Sequence, residues 1–189
     1  MSPIETIAFV LGVANVVLVV RRSLWNYPFG LVMVALYGWV FFGAKLYSDA
    51  ILQVFFFVVQ VYGWVNWSRN AGEAGEIEVE RMAPASRVAW LTGSVIAIVV
   101  WGWAMHRFTD AAFPWWDAAV AMLSVTAQVL MSRRFIENWL LWITVDVLAI
   151  GLYAAKDLWL TAVLYAIFLA LSAWGLVDWR GAERRMAIA

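Results

Sequence analysis

The stretch "ENWLLWITVDVLAIGLYAA", residues 137–155, decides how this chain is read. It is apolar enough and long enough to cross a bilayer, which takes roughly 20 residues of helix. Yet it carries Asn138, Trp139, Trp142, Thr144 and, near its middle, Asp146. An acid at the bilayer centre costs about 2.5–3.5 kcal/mol on insertion scales, so a group inside the protein must compensate. On a helix, Asn138, Trp142 and Asp146 are spaced by four and share one face, drifting by roughly 40° per step. Lipid penalises such a face, so it belongs against the bundle interior or a wet cavity.

The rest of the chain agrees with a membrane setting. Of its 189 residues 65% are hydrophobic and 14% charged, and the mean hydropathy is +0.81. A soluble domain carries about 25% charged and 45–50% apolar residues. Seven apolar segments, 3–20, 28–44, 49–68, 87–105, 114–131, 138–155 and 158–179, predict an all-α membrane protein with seven transmembrane helices. The net charge of zero gives no electrostatic case for nucleic acid. With no cysteine and one histidine, His106, disulfides, Cys nucleophiles and most His-based chemistry are removed and no metal site is expected. The first run has Glu5 in place of a basic n-region and reads as a mature helix, not a cleaved signal peptide. Most connections are short. The exception, Arg69 to Ser86, is polar, holds four glutamates and Pro84, and reads as a linker.

Basic residues set the expected orientation. Lys45, Arg107 and Lys156 fall on one side of a seven-span chain; the other ten of the thirteen Lys and Arg, including the pairs Arg21/Arg22 and Arg133/Arg134, fall on the other. The positive-inside rule puts the ten in the cytoplasm, with the C-terminus, and the N-terminus outside.

The chain also repeats itself. A gapless shift of 112 places Arg21 and Arg22 on Arg133 and Arg134, Asn26 on Asn138, Leu46 and Ala50 on Leu158 and Ala162, Gly63 on Gly175 and Trp67 on Trp179. Corresponding helices lie four spans apart, so the copies point the same way. The expected architecture is a 3+1+3 parallel repeat of the SWEET type, related by an axis along the membrane normal. It divides the chain into a first three-helix repeat at 1–68, a cytoplasmic linker with connecting helix 4 at 69–113, and a second repeat with a short cytoplasmic tail at 114–189.

Where the copies differ, mid-membrane polar and aromatic residues stand out. Gln53, Gln60 and Trp64 share a face of span 3, and Tyr37 lies mid-span 2; span 7 offers Thr161, Tyr165, Phe168 and Ser172. Under the shift Gln53 falls on Tyr165, Gln60 on Ser172, Asp146 on Val34, Trp142 on Gly30 and Tyr37 on Ala149. A symmetric bundle holding an asymmetric ligand on its axis has this pattern. The candidate substrate-binding set is Tyr37, Gln53, Gln60, Trp64, Asn138, Trp142, Asp146 and Tyr165. Each has a plainer reading. Gln53 and Gln60 can glue helices, and Asp146 can serve a neighbouring hydroxyl or amide. Trp25, Trp67, Trp115, Trp116, Trp159 and Trp179 read as an interfacial belt, and the arginine pairs as topology signals.

An aromatic, amide-rich cavity without an embedded Lys or Arg suits a flat heterocycle with hydroxyls, cationic or neutral, and no phosphate. The segments "RRSLWNYPFGLVMVALYGWVFFGAKLYSDAILQVFFFVVQVYGWVNW" and "ENWLLWITVDVLAIGLYAAKDLWLTAVLYAIFLALSAWGLVDW" resemble the PnuC family of vitamin transporters, most specifically in Asn-Trp-x-x-Trp of span 6 and Gln…Gly-Trp-x-x-Trp of span 3. The resemblance implies a SWEET-like fold in the bacterial inner membrane and uptake of nicotinamide riboside by facilitated diffusion, without ATP or ion coupling. It implies trapping by a cytoplasmic kinase, and no cofactor. The motif does not separate nicotinamide riboside from thiamine or riboflavin, carried by related members. The rival classes are a structural membrane partner and a membrane enzyme. The chain lacks a convincing nucleophile–base pair or metal set for the latter. Membrane lipid is the expected surroundings, and self-association is left open.

Overall fold

The computed structural model describes residues 3–43, 47–71 and 77–186. Among these are seven helices: α1 (Pro3–Val20), α2 (Asn26–Gly43), α3 (Tyr47–Arg69), α4 (Pro84–Phe108), α5 (Pro114–Ser132), α6 (Asn138–Ala155) and α7 (Trp159–Met186). The predicted spans coincide with them, α1 and α6 to the residue, while α7 runs on well past its apolar part. Stretches of α3, α4, α6 and α7 are long and apolar enough to cross a membrane, and α1 has a shorter one, Val10–Val20. Lipid offers the backbone no hydrogen bonds, so such apolar runs satisfy themselves as helix. Pro3, Pro84 and Pro114 stand at helix starts, where a missing N–H costs nothing. Lys45 and Leu46, used above for orientation and for the repeat, lie outside the described residues.

Three helix ends share one device. Arg22, Arg134 and Asp157 have φ of 54°, 65° and 58°, the left-handed conformation that usually belongs to glycine. The next residue closes the turn in each case: Ser23 N–H donates to Leu18 O at 2.9 Å, Phe135 N–H to Leu130 O at 3.0 Å, and Leu158 N–H to Tyr153 O at 2.8 Å. Such backbone strain, on the order of 1–3 kcal/mol, persists only where the surroundings hold it. Arg22 is held by Asp178 at 2.6 Å and Arg134 by Glu80. The second arginine of each pair therefore also holds a helix end in place. Arg21 and Arg133 are exposed, whereas Arg134 is buried and Arg22 largely so.

The helices close into a ring. Neighbours pack α1 on α2, α2 on α3, α3 on α5, α5 on α6, α6 on α7 and α7 back on α1, and α4 stands outside against α5. Ser94 of α4 bonds Thr126 of α5 at 2.9 Å. Side-chain bonds recur in pairs 112 residues apart, one pair joining distant helices and one pair within a turn. Trp67 Nε1 donates to Met131 O and Trp179 Nε1 to Val19 O, both at 3.2 Å. Asn26 Nδ2 donates to Ser23 O and Asn138 Nδ2 to Phe135 O, both at 2.7 Å. The ring of Tyr27 meets Trp67 edge-on at 90°, and that of Trp139 meets Trp179 at 87°.

Trp67 and Trp179 do not belong to the interfacial belt. Both are fully buried, 5.8 Å apart, and plug the arginine-bearing end of the ring. Trp116 is also drawn inward, its Nε1 donating to Leu148 O at 2.9 Å. Trp25, Trp115 and Trp159 are exposed, as the belt reading expects.

The linker is not a loose polar tether. Ile77, Val79 and Met82 are buried, the first two in the same cluster as Trp67 and Trp179. Glu80 bridges in parallel to Phe135: Glu80 N–H donates to Arg134 O and Ile136 N–H to Glu80 O, both at 2.9 Å. Ion pairs fasten the strap further, Arg81 to Glu183 at 2.6 Å and Arg87 to Glu137 at 2.9 Å. Its alternating pattern of apolar Ile77, Val79 and charged Glu78, Glu80 is the period-2 signature of extended chain with one covered face.

Candidate functional site

Position 146 on α6 turns its carboxylate inward. Asp146 is 2% exposed and accepts a hydrogen bond from Ser172 Oγ of α7 at 2.9 Å. Ser172, itself buried, is the hydroxyl partner that the plainer reading of Asp146 anticipated. The bond leaves the other carboxylate oxygen for a further donor, since an ionised carboxylate has about four acceptor sites.

Trp142, one turn earlier, is half-buried and packs against two apolar clusters, one around Trp67 and Trp179 and one around Val145, Ala149 and Leu152. Tyr165 of α7 packs on the second cluster and stacks on Tyr153, 5.2 Å between centroids at 24°, with Phe168 edge-on at 5.9 Å. The structure therefore joins Asp146 to Ser172 and packs Trp142 and Tyr165 against the same apolar cluster.

Asn138 is fully buried at the start of α6, where its Nδ2 braces the turn through Phe135 O while its Oδ1 has no partner. In the first half, Gln60 is 5% exposed and its Oε1 also has no partner. It lies over Gly30 of α2, beside Asn15 of α1. The other span-3 candidates are elsewhere. Gln53 lines an apolar cleft of about 410 Å³ between α2 and α3, with Val34, Gly38 and Phe57. Trp64 is 39% exposed, its ring parallel to Tyr27 at 6.4 Å. Spacing put the three on one helical face, but that face runs from the ring interior to its rim.

Two residues escaped the sequence reading. Asn15 was legible as an amide inside the apolar run "VANVV", and Tyr153 as the second aromatic near Tyr165. Buried side-chain atoms without a protein partner, among the described residues, include Tyr27 Oη, Gln60 Oε1, Asn138 Oδ1 and Trp139 Nε1. Buried polar groups normally find a partner, so each of these atoms is open to a water or a polar ligand. No group of three or more His, Cys, Asp or Glu suited to a metal occurs among the described residues. Among the described residues, Asp146 is the one charged side chain in the central part of an apolar span.

Comparison with known proteins converges on one family. A family profile described as "Nicotinamide mononucleotide transporter" matches residues 2–181. The "Nicotinamide riboside transporter PnuC" of Escherichia coli (strain K12) is 30% identical, over 91% of this chain and 83% of that one. The "Riboflavin/roseoflavin transporter RibM" of Streptomyces davaonensis is 29% identical, over 96% of this chain and 86% of the other. Among solved structures, "Crystal structure of the Vitamin B3 transporter PnuC" superposes with a TM-score of 0.79 at 30% identity, covering 96% of this chain and 82% of that one.

Proposed function

This chain belongs to the PnuC family of nicotinamide-nucleoside and related vitamin transporters, and from that premise we propose that it carries nicotinamide riboside into the bacterial cell by facilitated diffusion. The observation that carries the reading is the chemistry gathered inside the ring. Asp146 with Ser172, the rings of Trp142 and Tyr165, and the unpartnered amide of Gln60 offer stacking, one negative charge and hydrogen bonds. A flat cationic ring on a ribose uses all three. A phosphate would need an embedded cation, and the buried Arg134 is already engaged by Glu80. The riboside is therefore the substrate rather than its mononucleotide. Tyr37, Gln53, Gln60, Trp64, Asn138, Trp142, Asp146 and Tyr165 are the proposed substrate-contacting set, with Asn138 toward the cytoplasmic exit.

The proposed architecture is the 3+1+3 parallel repeat, with repeats at 1–68 and 114–189 and the linker plus helix 4 at 69–113. The paired Trp67 and Trp179 bonds support it, as does the ring order, which maps onto itself when the chain is shifted by half. The ten-to-three basic bias supports an external N-terminus and a cytoplasmic C-terminus in the inner membrane. In this reading a cytoplasmic kinase traps the riboside by phosphorylation, since the phosphorylated form no longer fits the path. A second reading, transport of riboflavin, is favoured by the RibM relative; thiamine is the remaining member of that group.

Isothermal titration of the purified protein with riboside, mononucleotide, thiamine and riboflavin tests the proposal. Riboside binding without mononucleotide binding is expected. Tight riboflavin or thiamine binding without the riboside moves the substrate, and tight mononucleotide binding breaks the charge argument.

A further inference from the structure

The two halves of the ring meet at two seams, α1 against α7 and α3 against α5. At each seam an arginine in a left-handed turn is held by a carboxylate, but the carboxylates come from different places. Arg22 pairs directly with Asp178 of α7 at 2.6 Å. The shift of 112 relates Arg22 to Arg134, and it relates Asp178 to Asn66 of α3. Asn66 is neutral, and its Nδ2 donates to Ser132 O at 3.0 Å. The acid on Arg134 is instead Glu80, in the extended segment that follows α3. At one seam the two halves hold each other; at the other a separate piece of chain supplies the charge.

That piece has two unlike sides. Its buried side, Ile77 and Val79, packs in one cluster with Val20 and Trp67 of the first half and Ile136 and Trp179 of the second. Its hydrogen bonds and ion pairs to other elements, among the described residues, go to the second half. Glu80 N–H donates to Arg134 O and Ile136 N–H to Glu80 O, both at 2.9 Å. Arg134 Nη1 donates to Glu78 O at 3.2 Å, Met82 N–H to the Glu137 carboxylate at 3.3 Å, and Arg81 pairs with Glu183 of α7 at 2.6 Å. Beneath it Trp67 and Trp179 fill the end of the ring. A ligand passing that end must displace the two indoles, and Ile77 and Val79 lie against them. An extended segment lifts without unwinding a helix, and segments with few buried contacts open at the lowest local cost. The side chains of Glu80 and Arg81 are 48% and 52% exposed, so water replaces their partners readily as the segment leaves.

We propose that residues 77–82 are a lid over the arginine-bearing end of the ring, latched by Glu80 on Arg134, and that the lid lifts off the second half each time a ligand passes. The inference rests on the transport reading given above.

The chain has no cysteine, so introduced thiols are unique. Glu80 and Phe135 are bridge partners; such residues lie about 4.8 Å apart, within the Cα range of a disulfide. Full-length Glu80→Cys/Phe135→Cys protein is placed in liposomes and uptake of labelled nicotinamide riboside is followed, oxidised and then reduced. Oxidation should arrest uptake and reductant should restore it, with the cysteine-free parent indifferent to both. Equal uptake in the two states overturns the lid and leaves riboside transport standing. If that pair fails to fold, Arg81→Cys/Glu183→Cys joined by a short bis-maleimide locks the same segment and is read in the same way. A second readout needs no substrate: maleimide labelling of Val79→Cys, a buried position on the underside of the lid. Glu80→Ala should speed that labelling about tenfold, the effect of losing one hydrogen bond to a charged group. A parent that takes up no riboside overturns the substrate reading, and the lid then stands or falls on the labelling: a rate unchanged by Glu80→Ala overturns it too.

Discussion

Gly175 tests the packing that closes the ring. This α7 residue lies on the indole of Trp139 of α6: a Cβ there would fall 2.5 Å from Cζ2 and 2.6 Å from both Cε2 and Cη2. Carbon atoms rest about 3.5–4.0 Å apart, so Gly175→Ala requires the ring to retreat by roughly 1 Å. It has nowhere to go, because Trp139 is 1% exposed and meets the fully buried Trp179 edge-on at 5.5 Å. Overpacking costs about 1–3 kcal/mol, and three obstructing ring atoms put this case near 3. Alanine returns about 1 kcal/mol of helix propensity over glycine. The net loss of about 2 kcal/mol should lower the thermal midpoint by roughly 4–8 °C for a chain of this length. Gly93→Ala is the matched control, with nothing within 4 Å of its Cβ position, and it keeps the propensity gain. Tryptophan-fluorescence melting of both variants in one detergent is the assay. A Gly175→Ala protein as stable as Gly93→Ala would refute the claim that Trp139 is locked against α7.

Trp142→Ala should weaken riboside binding tenfold or more with folding kept, since losing a stacking face is worth about 1–3 kcal/mol; unchanged affinity would move the site off this face of α6. Asp146→Asn keeps the shape and the link to Ser172 but removes the charge, so it should cost affinity for the cationic riboside and spare a neutral analogue; equal effects on both would leave Asp146 a structural partner. In liposomes, uptake should stop at equal concentrations inside and out, and accumulation driven by a proton or sodium gradient would contradict passive transport. Glu80→Ala leaves the buried Arg134 guanidinium short of a partner and should cost about 1–3 kcal/mol, while Arg81→Ala at the exposed pair with Glu183 should cost at most about 1 kcal/mol; similar melting of the two variants would mean the strap is not anchored through Arg134.

The sequence alone determined the seven helices, the family and most of the polar residues worth watching. These are local properties. A helix must be apolar for about 20 residues to cross lipid, and Asp146, Gln60 or Trp142 stands out against such a background whatever its neighbours. Which way each apolar face points was decided only by tertiary structure, because lipid and protein interior are equally apolar and hydrophobicity does not distinguish them. That is why Trp67 and Trp179 looked like interfacial residues and stand buried at the closed end of the ring. It is also why Gln53, Gln60 and Trp64, one face by spacing, lie in three surroundings. The linker strap, the partner of Asp146 and the node at Gly30 depend on contacts between distant segments. Trp179 finds Val19 across 160 residues, and no local pattern records that meeting.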